Sequence, residues 1–509
     1  MAAPVRSDGP IAARYLKFSI ARAEYIERGR DCAALTIPSL FPRETTKGAK
    51  IITPYSGFGA RGVNNLGAKL MMALFPSNLP FFRLVVDEFA LEELGAAKGD
   101  AEKALSKIER SVATDVETTF IRVPLFEALK HLIVVGNVLF YRDPKTGRGR
   151  AIPLTSYIVR RDPMGNVLEI IVREEIANVL LPTAALALLA GKEGGDDDTE
   201  EMVPIFTRIL REKNRWAVTQ EAAGVAIESA AGGYPLDQCP WLPLRMILVD
   251  GEDYGRSFVE EHYGDLNSNE KLTKAIIQFS AAAAKIVFLV KPNSTTKPAA
   301  LAKANSGDFV TGSEADIAAL GIDKFADFQV ASATSERIET RLGYVFLLNS
   351  AIQRNGDRVT AEEIRRVAQE LDTGLGGVHA LLAQELQLPL VSNIMATKAK
   401  KRELPALPKG LVKPVVVTGI EALGRGTDLD NLMTAINALA TVPNALQRIK
   451  GGEFGKRVFA AVQQSSDGLF MTDEEVAQEQ QAAAAAQMAQ AATPAVAKAA
   501  AEGTMEPPA

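Results

Sequence analysis

From Asn349 to Val391 the chain reads NSAIQRNGDRVTAEEIRRVAQELDTGLGGVHALLAQELQLPLV, and this stretch restricts folding more than any other. Thr360-Ala361-Glu362-Glu363 fits a capping box, in which the Thr360 hydroxyl accepts the Glu363 backbone N–H and the Glu363 carboxylate accepts the Thr360 N–H. A helix is therefore expected from Ala361. Ile364, Val367, Ala368, Leu371, Leu375, Val378, Leu382 and Leu386 recur at steps of three and four, which sets them on one buried stripe. Gly374, Gly376 and Gly377 interrupt it. Each costs a helix about 1 kcal/mol relative to Ala, so a kink, a hinge or a close backbone approach is expected there. Pro389 marks the expected end of the helix.

Upstream, Ile338, Leu342, Val345, Asn349 and Ile352 lie on a second helical stripe. Between the two stripes, Gln353-Arg354-Asn355-Gly356-Asp357-Arg358 forms a short polar connection with charge and no apolar anchor. By itself this pattern is a helical hairpin with an exposed loop.

A chain of 509 residues is long enough for two to four domains with sizeable cores, and its apolar and charged fractions, 47% and 23%, are those of an ordinary globular protein. The formal net charge of −5 argues against general attraction to nucleic acid or to an anionic membrane. It does not argue against a conduit, because tight phosphate contacts would stop a duplex from sliding. Cys32 and Cys239 are the two cysteines, so a disulfide scaffold is excluded and folding in a reducing cytoplasm is expected. The uncharged stretch Ile176–Gly191 contains Pro182 and is too short for a membrane span.

Other segments read locally. Ala12–Cys32 has helical character, Leu66, Leu70, Met71 and Leu74 have helical spacing, and Phe82-Arg83-Leu84 reads as a strand. Arg122–Lys130 leads as a helix into a buried strand over the apolar run Leu132–Tyr141. Asp162-Pro163-Met164-Gly165-Asn166, between two β-branched runs, signals a hairpin. Residues 271–307 carry Lys271, Lys274, Lys285, Lys291, Lys297 and Lys303 with no Asp, Glu or Arg; Lys271–Val290 is expected to be helical, with Pro292 and Pro298 breaking it. From Gln478 the composition collapses to Ala, Gln, Met and Pro and cannot build a core.

Catalytic chemistry is poorly represented. His131, His262 and His379 stand in unlike contexts, and no HExxH, GxSxG or metal-ligand spacing occurs. Gly57-Phe58-Gly59-Ala60-Arg61-Gly62 matches GxGxxG, but Pro54 spoils the strand that should precede it, and no acidic residue stands about 20 positions on.

Four passages resemble, in order and spacing, the portal or head-to-tail connector proteins of short-tailed phages that carry their own RNA polymerase. They are Gly59-Ala60-Arg61 through Lys69-Leu70-Met71 to Ala73-Leu74-Phe75-Pro76 followed by Phe82-Arg83-Leu84; the Arg161-Asp162 to Gly165-Asn166-Val167 hairpin; Tyr254-Gly255-Arg256-Ser257; and Arg358-Val359-Thr360-Ala361-Glu362-Glu363-Ile364-Arg365. The resemblance implies an α+β, mainly helical ring subunit with wing, stem, clip and crown regions. The wing would span 1–255, the stem helix and clip 256–312, the wing return strands with channel loop and long kinked helix 313–400, and the helical crown 401–470, with a disordered tail over 471–509.

It further implies a ring, usually dodecameric, around an axial DNA channel at one capsid vertex, without cofactor or catalysis. Such a ring serves head assembly, terminase-driven packaging, DNA retention, tail attachment and genome ejection. Its expected partners are the terminase large subunit, tail adaptor and tail tube proteins, major capsid and scaffolding proteins, internal core proteins, and double-stranded DNA passing through without sequence specificity. The expected location is the virion, after synthesis in the host bacterial cytoplasm, with no membrane contact. Arg354, Asn355, Gly356, Asp357 and Arg358 would form the channel loop; Thr360 and Glu363 its helix cap; Gly374, Gly376 and Gly377 the hinge; and Lys271, Lys274, Lys285, Lys291, Lys297 and Lys303 the basic stem and clip. The alternatives are another virion ring or scaffold protein, and a nucleotide-binding enzyme built on GFGARG.

Overall fold

The N-terminal segment folds as helix α1, Pro10–Leu35, because its apolar residues share one side: Ile11, Ala12 and Tyr15 bury against Ile158, Ile171 and Phe206 of a sheet. The computed structural model describes residues 10–43, 48, 50–76, 81–86, 98–178, 181, 202–283, 287–294, 296–320, 325–348, 371, 377–404, 412–416, 434–439, 454–455, 458 and 482. The chain divides into two units, one of residues 1–90 and 108–420, the other of residues 91–107 and 421–509. In the second unit the longer described helical stretches are 98–107 and 434–439; most of the expected crown and tail lies outside the described residues.

The first unit is α+β, with more of the chain in helices than in strands. Helix α2, Phe58–Leu74, and the end of α3, Lys98–Thr118, precede α4, Arg122–Val135, which buries Leu125, Leu129, Leu132 and Ile133 completely. Each such side chain contributes roughly 1.5–3 kcal/mol by leaving water, so α4 is a main core element. It closes on Gly136 at φ +82 and turns straight into strand β2, Asn137–Arg142. Strand β2 is the middle of a three-stranded antiparallel sheet, flanked by β3, Gly149–Pro153, and β10, Trp241–Arg245.

The larger sheet runs β4 (Tyr157–Arg161), β5 (Val167–Ala177), β6 (Met202–Arg211), β7 (Arg215–Ala222) and β8 (Val225–Ala226), with β9 (Gly232–Pro235) also on β7. The hairpin expected at Asp162–Asn166 joins β4 to β5: the Asp162 N–H donates to the Asn166 carbonyl at 2.9 Å, and Gly165 takes φ +81. Strand β1, Phe82–Val86, pairs with β13, Val412–Val416.

Some local expectations need correction. The helix expected over Lys271–Val290 is α5, Tyr263–Ala283, and Val287–Val290 is instead strand β11, antiparallel to β12, Ile317–Leu320. A Val-Phe-Leu-Val run suits a strand once a partner exists, and that partner is too distant for a local pattern to reveal. The second stripe is helical as far as Val345, and its last two members, Asn349 and Ile352, lie outside the described residues. Helix α6, Phe325–Val345, packs along α5 and closes when Leu347 enters the left-handed region at φ +54 and the Leu348 N–H donates to the Gly343 carbonyl at 2.8 Å.

Pro389, finally, does not end its helix. Val378–Leu382 forms α7, Ala383–Gln387 widens into a π turn, and α8 continues over Leu388–Lys400. A proline ring clashes with the carbonyl four residues earlier, here that of Glu385; the wider turn makes room for it.

Candidate functional site

The site grows from α2, which grips the chain on both sides of the polar segment. Its first glycines are packing positions. A Cβ on Gly59 would stand 2.3 Å from the Leu35 carbonyl oxygen, and one on Gly62 would stand 2.6 Å from the Phe346 ring. Phe346 is completely buried, one residue past the end of α6. No strand precedes α2 among residues 50–57. Gly59 and Gly62 thus face protein atoms while Gly57 faces open space, and without a strand before α2 the dinucleotide reading lacks the strand-to-helix turn it requires.

One and two turns further along α2, Asn65 and Lys69 take over. The Asn65 side-chain amide donates to the carbonyls of Phe346 at 2.9 Å and Leu347 at 3.1 Å, and the Lys69 Nζ donates to the Leu347 carbonyl at 2.9 Å. These carbonyls are left over at the C-terminus of α6, where a cation is also favoured by the helix dipole. Lys69 is only 6% exposed, and its stem lies among the apolar residues of the helix. At the other end of α2, the Leu74 carbonyl accepts the side-chain amide of Gln387, a buried residue of the π turn. Residues 346–347 and residue 387 are thereby fixed to one helix, on the two sides of the 349–377 segment.

The π turn is anchored a second time through Glu385. Its carboxylate accepts Arg245 Nε at 3.0 Å and Nη2 at 2.5 Å, the Arg245 backbone N–H at 3.0 Å, and Arg161 Nη1 at 3.4 Å. Arg161 and Arg245 are 4% and 6% exposed, so this is a buried charge cluster. Arg161 also donates to the carbonyls of Gly165, Pro243 and Asp253, which ties the β4–β5 hairpin to the same place. Burial holds the Arg161 guanidinium below its ordinary pKa, opposed by the neighbouring Glu385.

Tyr254-Gly255-Arg256-Ser257 is absorbed by the scaffold. Asn137 exchanges two hydrogen bonds with the Gly255 backbone, both at 2.7 Å, and the Tyr254 hydroxyl accepts the Val159 N–H at 3.2 Å. Ser257 caps the helical turn Phe258–Glu261 and donates to the Ile133 carbonyl at 3.0 Å.

Of the expected site residues, Arg354, Asn355, Gly356, Asp357, Arg358, Thr360, Glu363, Gly374, Gly376 and Lys285 lie outside the described residues. Gly377 is described, at φ +73 immediately before α7. Lys271 and Lys274 are exposed on α5, with Lys274 Nζ 5.5 Å from the Tyr55 ring centre. Lys291, Lys297 and Lys303 are exposed around the turn after β11, where buried Thr296 donates to Asp316 at 3.2 Å and accepts the Ser313 N–H at 3.0 Å. Asn65, Lys69, Glu385 and Gln387 belong to the site although no motif marks them in the sequence. The signal that could have found Lys69 is a cation inside the apolar spacing of α2.

Among the described residues no cluster of His, Cys, Asp and Glu could hold a metal ion, and no helix is long and apolar enough to cross a membrane. A family model described as "Bacteriophage head to tail connecting protein" matches residues 9–466. The portal protein of Escherichia phage T7 is 42% identical over 468 residues, covering 89% of this chain and 87% of that protein. The portal protein of Enterobacteria phage T3 is 42% identical over 480 residues, covering 91% and 88%, and that of Enterobacteria phage SP6 is 31% identical over 477 residues, covering 91% and 90%.

Proposed function

The chain belongs to the family of bacteriophage head-to-tail connecting proteins and is a portal protein of the short-tailed phage type, and from that premise we propose how its parts work. Copies of the chain form a ring, a dodecamer in our reading, around an axial channel at one capsid vertex. Residues 1–255 supply the wing, 256–312 the stem helix and clip, 313–400 the return strands, channel loop and kinked helix, and 401–470 the crown. The antiparallel pair α5 and α6 supports the stem reading, and the exposed lysines after β11 support the clip.

The observation that carries the channel reading is the grip of α2 on residues 346–347 and 387. A loop that meets moving DNA must be fixed at its base while its tip yields. Arg354 to Arg358 form that tip, with Arg354 and Arg358 braking the duplex through weak phosphate contacts and the overall negative charge keeping it free to slide. Catalysis is assigned to the partner: the ATP-driven terminase docks at the clip, and the tail adaptor later takes its place. Major capsid, scaffolding and internal core proteins meet the remaining surfaces. Electron microscopy of the purified protein tests the ring. Annular particles with a central hole are expected; monodisperse monomers under assembly conditions would overturn it.

A further inference from the structure

Glu169 on β5 is 1% exposed and lies at the centre of a cluster of cations supplied by three elements. Arg14 of α1 donates to it through Nε and Nη2, both at 2.6 Å, and Arg208 of β6 through Nε at 2.6 Å. Those bonds occupy most of what one carboxylate can accept. Arg160 of β4 approaches only to 3.7 Å, beyond hydrogen-bond reach, and its guanidinium instead sits 4.7 Å from the centre of the Phe18 ring. Arg14 and Lys17 flank the same ring at 5.0 and 5.9 Å.

The consequence is a set of cations held in place with their donors unspent. Neither Arg160 nor Lys17 has a hydrogen-bond acceptor among the described residues, Arg208 uses one of its nitrogens, and Arg14 keeps Nη1 free. Arg14, Arg160 and Arg208 are 35%, 38% and 28% exposed, so the free donors are reachable from solvent. The other buried carboxylate nearby, Glu221, already accepts the N–H groups of Ile11 and Ala12 at 2.9 and 3.1 Å. Further along β5, Arg173 and Glu175 pair with each other at 2.8 Å. Positive charge is thus in surplus here, on a chain whose formal charge is −5.

We propose that the Arg14, Lys17, Arg160 and Arg208 cluster around Phe18 is a docking site for an acidic segment of a partner protein. Arginine forks match carboxylates in pairs, and forks already oriented by Glu169 and Phe18 lose little freedom on binding. The cluster is compact, centred on one ring. Duplex DNA is held by a track of roughly six or more phosphate contacts, and the net charge of the chain opposes it. The site is separate from the α2 grip and stands whether or not residues 354–358 face DNA.

The test titrates the full-length assembled protein at low salt with a labelled hexaglutamate peptide, and in a second arm with a short duplex DNA. Saturable peptide binding is expected, weakened about tenfold by Arg160→Gln together with Lys17→Gln, with unchanged thermal stability. Arg160→Lys should retain part of it. Because Lys17 is exposed and structurally unencumbered, Lys17→Gln alone gives a readable partial loss even if the double variant unfolds. No peptide binding by the parent protein, binding unaffected by these substitutions, or duplex binding that falls more than peptide binding would each overturn the assignment.

Discussion

The Lys69 ammonium donates to the Leu347 carbonyl at 2.9 Å, two residues before the chain leaves for the polar segment at Asn349. A buried amine on one helix thus closes the end of another and fixes where the segment starts. The contact joins the GAR–KLM passage of α2 to the end of α6 in one mechanical unit.

Gly62→Ala should test that unit directly. The added methyl would meet the Phe346 ring at 2.6 Å, and overpacking of this kind costs roughly 1–3 kcal/mol. Lys69→Met, similar in size, should cost about 1–3 kcal/mol by removing the charged donor to the Leu347 carbonyl, leaving Asn65 to hold it. Denaturant midpoints measure both, and hydrogen exchange at Leu348 should rise in both variants.

Removing the charge at Glu385 should be more damaging. Glu385→Gln leaves Arg161 and Arg245 buried without their shared counterion, a change that typically costs about 3–5 kcal/mol. The expected result is a lower unfolding midpoint in denaturant. A midpoint equal to the parent's would mean that the cluster contributes nothing to holding the π turn.

His131 gives the fold an acid sensitivity of known sign. It is buried on α4, edge-on to Phe41, and burial pushes its pKa down to about 4, with Lys130 adding to the effect. The unfolded chain takes up this proton near pH 6.5 while the folded chain resists it, so stability is full above pH 6.5 and falls as pH drops towards 4. The shift corresponds to roughly 3 kcal/mol at most. Unfolding midpoints measured across that window should show a flatter slope in His131→Leu than in the parent.

Reversing the charges of Lys291, Lys297 and Lys303 to Glu should weaken binding of the terminase or the tail adaptor, more so at low salt. Pull-down or titration with either purified partner measures this. Unaltered binding would remove these lysines from the docking surface.

Local elements were legible where one short pattern decides them. Helix α1, the apolar face of α2 and the Asp162–Asn166 turn all follow from period and turn chemistry, whereas the strand expected over Leu132–Tyr141 begins only at Asn137, because Leu132–Val135 continue α4 up to Gly136. The other corrected stretches share a different cause. Val287–Val290 needed a strand partner at Ile317–Leu320, and Pro389 needed a π turn anchored by Glu385 on Arg245. In the candidate site, Lys69 with Leu347 and Gln387 with Leu74 pair groups some three hundred residues apart, which no local window contains. The family-like passages identified the family, but not these contacts.

In the proposed mechanism α2 holds the base of a segment whose tip, Arg354 to Arg358, works on DNA in the channel. Heads assembled with that tip excised, and the α2 contacts left intact, measure it through their packaged and retained DNA. Normal rings and heads with reduced packaging or early loss of the genome are expected. Packaging and retention equal to those of the parent would contradict it.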